Sequence, residues 1–279
     1  MAEITAAQVK ELRDATNVSM MECKRALVET GGDKEKAMRL LRERGVAIAG
    51  KRAEKTANQG LIAAEVLNDG TKGVMVEVNC ETDFVARNDN FQKFVGEVLV
   101  AARDVSDGQL AEAMKDQLAD QIAAIGENLI IRRNASFEVQ GTGGVASYIH
   151  LGGKIGILLE VGCEKAETPA SEDFRELLKD VTLHIAACSP AYLNREEVPA
   201  DVVESEKAIF AKQAEGKPAQ IIEKIVGGKI DKFYSQICLI EQGFVKDPDQ
   251  SITQLLESTG KKLGDTLTIR RYLRYQIGA

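Results

Sequence analysis

Apolar residues in the first part of the chain recur every three or four positions, which is the spacing of one helix face. Ser19 and Glu22 have the spacing of a capping box, in which each side chain binds the other's backbone N–H group. They predict the start of a second helix, and Asp33 is placed to cap a third. Gly45 is expected to end that helix. Residues 1–45 are therefore predicted to form a small three-helix bundle.

An internal repeat follows, after a linker predicted over residues 46–59. The segment 60–101 matches the sequence 83 positions later with ten identities. In the first copy the shared residues are Gly60, Ala63, Gly70, Gly73, Glu77, Val78, Cys80, Glu81, Phe91 and Val98. Each copy has the pattern of a strand, a glycine turn, a strand, a loop and a helix. Alternation along the strands is weak, which predicts sheets well covered by helices.

The predicted strands occupy equivalent positions in the two copies. They are Leu61–Leu67 and Gly73–Cys80, then Val145–Leu151 and Gly156–Cys163. A second match, at an offset of 138, relates Gly126, Leu129, Ile131, Arg132 and Arg133 to Gly264, Leu267, Ile269, Arg270 and Arg271. Each copy therefore ends in a further strand, and the second copy carries 55 additional residues, the difference between the two offsets.

The additional residues have the pattern of a helical hairpin. One arm covers Ala200–Ala214, the turn lies at Gly216, and the return arm starts at Pro218, a residue tolerated in a first helical turn. The apolar stripe of the hairpin covers its own core or a partner, and we favour a partner, including a second copy in a homodimer. The predicted parts are an N-terminal domain (1–45), a linker (46–59), a core N-subdomain (60–140), and a core C-subdomain (141–279) with the hairpin inserted at about 189–243.

Composition narrows the function classes. With 279 residues, 44% apolar and 28% charged, the chain is globular and long enough for about two domains. Its 43 acidic and 36 basic residues argue against a direct nucleic-acid binder. Neither a membrane-spanning run nor a secretory signal is apparent. The five cysteines form no C-x-x-C pair, so we expect reduced thiols in a cytoplasmic protein and no metal site.

Catalytic chemistry is also hard to find. No surrounding motif frames His150 or His184 as part of a triad, and His184 is expected to be a packed residue. The segment Gly45–Arg52 has the glycine spacing of a phosphate-binding loop, but Arg52 stands where a Ser or Thr would hold Mg²⁺. A helix end followed by a basic linker is the favoured interpretation. We therefore expect no cofactor and no enzymatic activity.

The two copies differ in the loop after their second strand, and such differences are where function can be sought. The first copy places Phe84 between polar residues, whereas the second has no bulky apolar residue there. An apolar residue on a loop suggests a contact with another molecule. On spacing alone, packing of Phe84 into its own core is favoured over that contact.

Thr82-Asp83-Phe84-Val85, after Glu77-Val78-Asn79-Cys80-Glu81, resembles the signature loop of the bacterial elongation factor Ts family. The resemblance extends over essentially the whole chain. Further segments similar to family signatures are Thr16–Leu27, Ile125–Asn128, Arg132-Arg133 and Ser147–His150. The stretch Asn17-Val18-Ser19 departs from the Gly-containing sequence common in the family. A C-terminal helix found in some members is also expected to be absent.

The resemblance implies a nucleotide-exchange factor for elongation factor Tu, the GTPase that delivers aminoacyl-tRNA to the ribosome. The implied fold is α+β: a ubiquitin-associated-like three-helix bundle, a duplicated core of antiparallel sheets with helices, and an inserted helical hairpin. The factor would bind Tu in its GDP-bound and nucleotide-free forms, without contacting nucleic acid or membrane.

The resemblance also implies roles for individual residues. Thr82, Asp83, Phe84 and Val85 would form the loop that enters the GTPase domain of Tu. The Phe84 ring would displace the groups that hold Mg²⁺, with help from Asp83. Met20 and Met21 would pack on the same domain, and the region around His150 would reach another domain of Tu.

Two other classes remain as alternatives. An adaptor could use the ubiquitin-associated-like bundle for other partners, although this leaves the Phe84 loop unexplained. A nucleotide-hydrolysing enzyme could be built on Gly45–Arg52, and absence of direct GTP or ATP binding would exclude it.

Overall fold

The computed structural model describes residues 4–16 and 18–279. Asn17, part of the departure from the family pattern, lies outside these residues. The helices are α1 (Ala6–Thr16), α2 (Met20–Glu29), α3 (Lys34–Arg52), α4 (Asp83–Ala86), α5 (Asp89–Ala101), α6 (Leu110–Ala113), α7 (Lys115–Ile125), α8 (Glu172–Cys188), α9 (Ala200–Gln213), α10 (Ala219–Ile237) and α11 (Ile252–Leu263). The strands are β1 (Gln59–Leu67), β2 (Lys72–Cys80), β3 (Leu129–Glu138), β4 (Gly143–His150), β5 (Ile155–Gly162), β6 (Gly243–Phe244), β7 (Asp247–Ser251) and β8 (Thr268–Gln276).

The N-terminal helices begin at the predicted caps. The Ser19 side chain accepts a hydrogen bond from the Glu22 N–H at 3.3 Å, and Asp33 accepts one from the Lys36 N–H at 3.0 Å. Only this half of the capping box forms, because the Glu22 carboxylate pairs with Arg25 at 2.7 Å instead of returning to the backbone of Ser19. The single side-chain caps of Ser19 and Asp33 therefore mark where α2 and α3 begin.

The expected end of α3 at Gly45 is wrong. The helix continues to Arg52, so the segment predicted as the start of the linker is helical. Gly45 is a packing residue, since a Cβ atom there would lie 3.2 Å from the Cβ of Ala123 on α7. The glycine allows α3 to lie close against α7, which joins the bundle to the core. The segment Gly45–Arg52 is helical and does not form a phosphate-binding loop.

The repeat folds into two three-stranded antiparallel sheets with the same plan. The first has the order β1-β2-β3 and the second β4-β5-β8. Their registers shift at equivalent points, between Glu77 and Val78 and between Glu160 and Val161. Helices α5 and α7 cover one face of the first sheet, while α8 and α11 cover the second. The predicted duplicated α+β core is confirmed, with α7 and α11 as helices that the sequence pattern did not reveal.

The two sheets pack on each other through equivalent glycines. A Cβ atom on Gly73 would lie 2.4 Å from Val145 Cγ1, and one on Gly156 would lie 2.4 Å from Ile62 Cγ2. Ile62 and Val145 are themselves repeat-related, so each half makes the same contact with the other. The interface therefore resembles that of a two-fold symmetric dimer, contained in one chain.

The inserted hairpin consists of α9 and α10, as predicted. Its apolar side chains are only partly covered, and Ile209 and Ile221 are exposed. Within residues 4–16 and 18–279, no helix combines the length and apolar character needed to cross a bilayer.

His184 is a packed residue, as expected. Through two hydrogen bonds it attaches α8 to the segment that follows the hairpin. The Val245 N–H donates to Nδ1 at 3.1 Å, so the other ring nitrogen, Nε2, carries the hydrogen and donates to Gln242 Oε1 at 2.9 Å. Gln242 is fixed in turn because its amide donates to the Gln236 carbonyl at 2.7 Å. Burial lowers the pKa of His184 below its usual value, although the bond to Gln242 opposes this.

The lowered pKa of His184 makes stability depend on pH. Below about pH 6.5 the unfolded chain takes up a proton that the folded chain still excludes, so stability is complete above that pH and falls as the pH drops. We expect a loss of up to about 1.4 kcal/mol per pH unit, until His184 protonates in the folded state too. Thermal unfolding between pH 7.5 and 5.5 measures it. The variant His184→Gln should flatten this dependence, and an unchanged slope would contradict the prediction.

Candidate functional site

The loop that carries Phe84 is a short, capped helical turn. Thr82 caps α4 by accepting a hydrogen bond from the Val85 N–H at 3.3 Å. Ala86 is buried, and Val85 packs partly into the core of the first sheet. At about 100° per residue, Phe84 lies on the side of the helix opposite Ala86. Its side chain is 80% exposed, so the expectation that Phe84 packs into its own core is wrong.

The remaining charge of the turn also faces outward. Asp83 is the first residue of α4 and forms an ion pair with Arg87, one turn later, at 3.1 Å. The pair is exposed, so both groups remain available to another molecule at little cost. The four predicted site residues thus have two tasks: Thr82 and Val85 hold the turn, and Asp83 and Phe84 are presented outward.

Two carboxylates hold the turn against the rest of the protein. Glu127, before β3, accepts hydrogen bonds from the N–H groups of Glu81 and Thr82 and from the Thr82 hydroxyl, the last at 2.7 Å. Glu81 accepts from the Asn128 N–H at 2.7 Å and pairs with Arg52 at 3.2 Å. The pKa of Glu81 lies below its usual value, first because of the Asn128 N–H and also because of Arg52.

Arg52 also connects the turn to the N-terminal bundle, since it is the last residue of α3. Met20 and Met21, at the start of α2, are 41% and 61% exposed. The neighbouring Glu22 lies 3.9 Å from Arg44 on α3, so the start of α2 lies beside α3. The bundle and the Phe84 turn are therefore fixed relative to each other.

His150 ends β4 and is half-buried, with its Nδ1 atom 3.1 Å from the Tyr148 hydroxyl. The turn that follows reaches the first sheet, because the Ile62 N–H donates to the Gly153 carbonyl at 2.7 Å. Lys154 donates to the Gln59 side chain at 3.1 Å, and Gln59 pairs with Cys80, just before the Phe84 turn. His150 and Phe84 consequently lie at the same end of the paired sheets.

Leu151, which was not predicted as a functional residue, is 66% exposed beside His150. It has a left-handed backbone conformation (φ 50°), which bulky residues rarely adopt. The repeat-related residue is Asn68, with nearly the same φ of 52°. An apolar residue in place of the Asn suited to this conformation is a signal that comparison of the two copies could have revealed.

The repeated arginines are part of the scaffold. Glu77 and Glu160 are fully buried, and each receives hydrogen bonds from two consecutive arginines. Cys80 and Cys163 are buried core residues. These groups are shared by both copies, whereas the residue equivalent to Phe84 in the second copy is Glu167.

Comparison with known proteins assigns this architecture to the translation elongation factors. The family model described as Elongation factor TS matches residues 81–279. Elongation factor Ts of Trichlorobacter lovleyi is 47% identical over 289 aligned positions, and that of Clostridium perfringens is 45% identical over 287. Each alignment covers 99% of this chain and 93% of the relative. The chain belongs to the elongation factor Ts family, and the family resemblance noted in the sequence is confirmed.

Proposed function

We propose that the chain is a guanine-nucleotide exchange factor for elongation factor Tu. It binds Tu·GDP, promotes release of GDP, and remains on nucleotide-free Tu until GTP binds. The observation that carries the proposal is the Phe84 ring, 80% exposed on a turn that Thr82 and Glu127 hold in place. Leaving such a ring in water costs free energy that a protein contact recovers.

The Phe84 turn acts as a wedge in the GTPase domain of Tu. The ring displaces the groups that hold Mg²⁺, and Asp83 assists at the same contact. Since Mg²⁺ offsets the charge of the phosphates, its loss weakens GDP binding. The chain itself needs no nucleotide site or cofactor for this task, and it acts in the cytoplasm with Tu.

The other contacts supply binding energy that the ring cannot. Accelerating GDP release by about 10³-fold requires about 4 kcal/mol of barrier reduction. Burial of one Phe contributes about 1.5–3 kcal/mol. The exposed Met20 and Met21 add contact with the same GTPase domain, where the flexibility of Met suits an adaptable surface. His150 and its neighbours contact another domain of Tu.

Release of a fluorescent GDP analogue from Tu tests the proposal. Catalytic amounts of the chain should accelerate release strongly. Linkage adds a second expectation: if the chain weakens GDP on Tu, then GDP must weaken the chain on Tu by the same factor. Titration of the complex with GDP measures that factor. Absence of any acceleration would contradict the proposed function.

The variant Leu151→Asn separates binding from stability. Asn tolerates the left-handed conformation better than Leu, so thermal stability should stay equal or rise. If Leu151 contacts Tu beside His150, loss of its apolar surface should weaken the complex by about five- to tenfold. Calorimetric titration and thermal unfolding give the two values. Unchanged affinity would place Leu151 outside the interface.

The homodimer through the hairpin stays a prediction, supported by the exposed Ile209 and Ile221. Sedimentation that shows only monomer at tens of micromolar would contradict it.

A further inference from the structure

Glu127 binds the residues that lead into the Phe84 turn through three hydrogen bonds. Its Oε2 atom accepts from the Glu81 N–H at 3.1 Å and the Thr82 N–H at 3.0 Å. Its Oε1 atom accepts from the Thr82 hydroxyl at 2.7 Å. One half-buried carboxylate thus satisfies the last two backbone donors before α4, together with the hydroxyl that caps the helix.

These bonds control the direction of α4 because the helix has only four residues. Such a short helix has almost no intrinsic stability. The buried Ala86 fixes its end, and Thr82 fixes its start. The Thr82 hydroxyl donates to Glu127 while it accepts from the Val85 N–H, so the first turn is attached to the core through one group. Without Glu127, the start of α4 would be attached to the core only through the side chain of Glu81, which binds Asn128 and Arg52.

The second copy contains an equivalent carboxylate that supports the same loop, but this loop carries no aromatic residue. Asp265, which is repeat-related to Glu127, accepts from the N–H groups of Glu164 and Lys165 at 3.0 and 3.1 Å, and from the Thr168 hydroxyl. The carboxylate is therefore a general support for the loop after the second strand. Only the first copy uses that support to present a ring, because Glu167 stands at the position equivalent to Phe84.

We propose that Glu127 is a positioning residue for nucleotide exchange, which fixes the direction in which Phe84 leaves the protein surface before Tu is bound. This inference rests on the proposed exchange function. A preorganised ring enters its target without first ordering the turn that carries it, and misplacement by about 1 Å can cost a catalytic arrangement about 100-fold.

Exchange kinetics test the proposal against a matched control. The variant Glu127→Ala should lower the maximal rate of fluorescent-GDP release from Tu at least tenfold, while the concentration of factor giving half-maximal rate changes less than threefold. Glu127→Gln, with one carbonyl oxygen for three donors, should be intermediate and covers the case in which the Ala variant does not fold. Asp265→Ala removes the equivalent support in the second copy and should leave the exchange rate unchanged. An equal loss of rate in Asp265→Ala would overturn the proposal.

A double variant asks whether Glu127 acts through Phe84. In the Phe84→Ala background, Glu127→Ala should reduce the rate less than twofold further, because no ring remains to be positioned. A full additional tenfold loss would show that Glu127 acts otherwise and would overturn the proposal.

A measurement without Tu separates this inference from the proposed function. The chain contains no Trp, so Phe84→Trp introduces a single fluorescent indole at the tip of the turn. Adding Glu127→Ala should increase the amplitude of fast local motion in its anisotropy decay at least twofold, whereas adding Asp265→Ala should not. An unchanged decay would overturn the positioning role even if exchange is observed. Increased motion together with absent exchange by the wild type would instead overturn the proposed function.

Discussion

Replacement of Phe84 by Ala is expected to slow factor-stimulated GDP release from Tu by about 10- to 100-fold. The ring is worth about 1.5–3 kcal/mol when it moves from water into a protein contact, and each 1.36 kcal/mol corresponds to a factor of ten. If that free energy is realised as GDP leaves, its loss lowers the maximal rate more than the affinity. The stability of the free chain should be unchanged, since the exposed ring packs against little of its own protein.

Two further variants make this result specific. Phe84→Leu keeps an apolar side chain but removes the ring, and should fall between wild type and Phe84→Ala. Val100→Ala removes another exposed apolar side chain, 52% accessible on α5, and should leave release unchanged. Fast release that persists in Phe84→Ala would move the mechanism to the wider interface, including Met20, Met21 and His150. The exchange function itself would then survive without the wedge.

Removal of the buried carboxylate of Glu77 should produce the largest loss of stability. Glu77 is inaccessible to solvent and receives Arg132 at 2.9 Å and Arg133 at 2.7 Å. Breaking a buried pair by deleting one partner typically costs about 3–5 kcal/mol. We expect about 3 kcal/mol for Glu77→Ala, because both arginines are partly exposed and can recover water. For a chain of this length that lowers the midpoint of thermal unfolding by about 5 °C.

The duplication supplies a matched comparison for Glu77. Glu160→Ala removes the equivalent buried carboxylate from Arg270 and Arg271 and should cost about the same. Glu112→Ala breaks only the exposed pair with Lys115 and should change stability by less than about 0.5 kcal/mol. Scanning calorimetry measures all three. A midpoint for Glu77→Ala within 1 °C of wild type would show that the buried pair contributes nothing net.

The sequence predicted the parts of this fold that repeat or that depend on local chemistry. The strands followed from the matched glycines, and the starts of α2 and α3 followed from Ser19 and Asp33. Helix α7 was not predicted because it has no side-chain cap, and α11 was overlooked even though Ser251 and Gln254 form a complete capping box. The end of α3 was misplaced because Gly45 serves a contact with α7, and a tertiary contact leaves no local mark in the sequence.

The candidate site was predictable in its residues but not in its geometry. Resemblance to the family indicated Thr82–Val85, Met20, Met21 and His150. The spacing of apolar residues alone favoured an inward-facing Phe84. It does not show that these residues form a four-residue helix in which Ala86 is the buried residue. The support from Glu127 joins residues 45 positions apart, so only the folded chain reveals it.

The hairpin insertion has a consequence for the order in which the two halves of the core assemble. Arg133 meets Glu77 across 56 positions, whereas Arg271 meets Glu160 across 111. Doubling a loop adds only about 0.6 kcal/mol to its closure entropy, so the finished protein tolerates the insertion easily. During synthesis, however, more than a hundred residues must be added after β5 before β8 is available to pair with it. The first sheet can close much earlier, and its completed face then offers Ile62 and Met75 as a template on which Gly156 and the rest of the second sheet assemble.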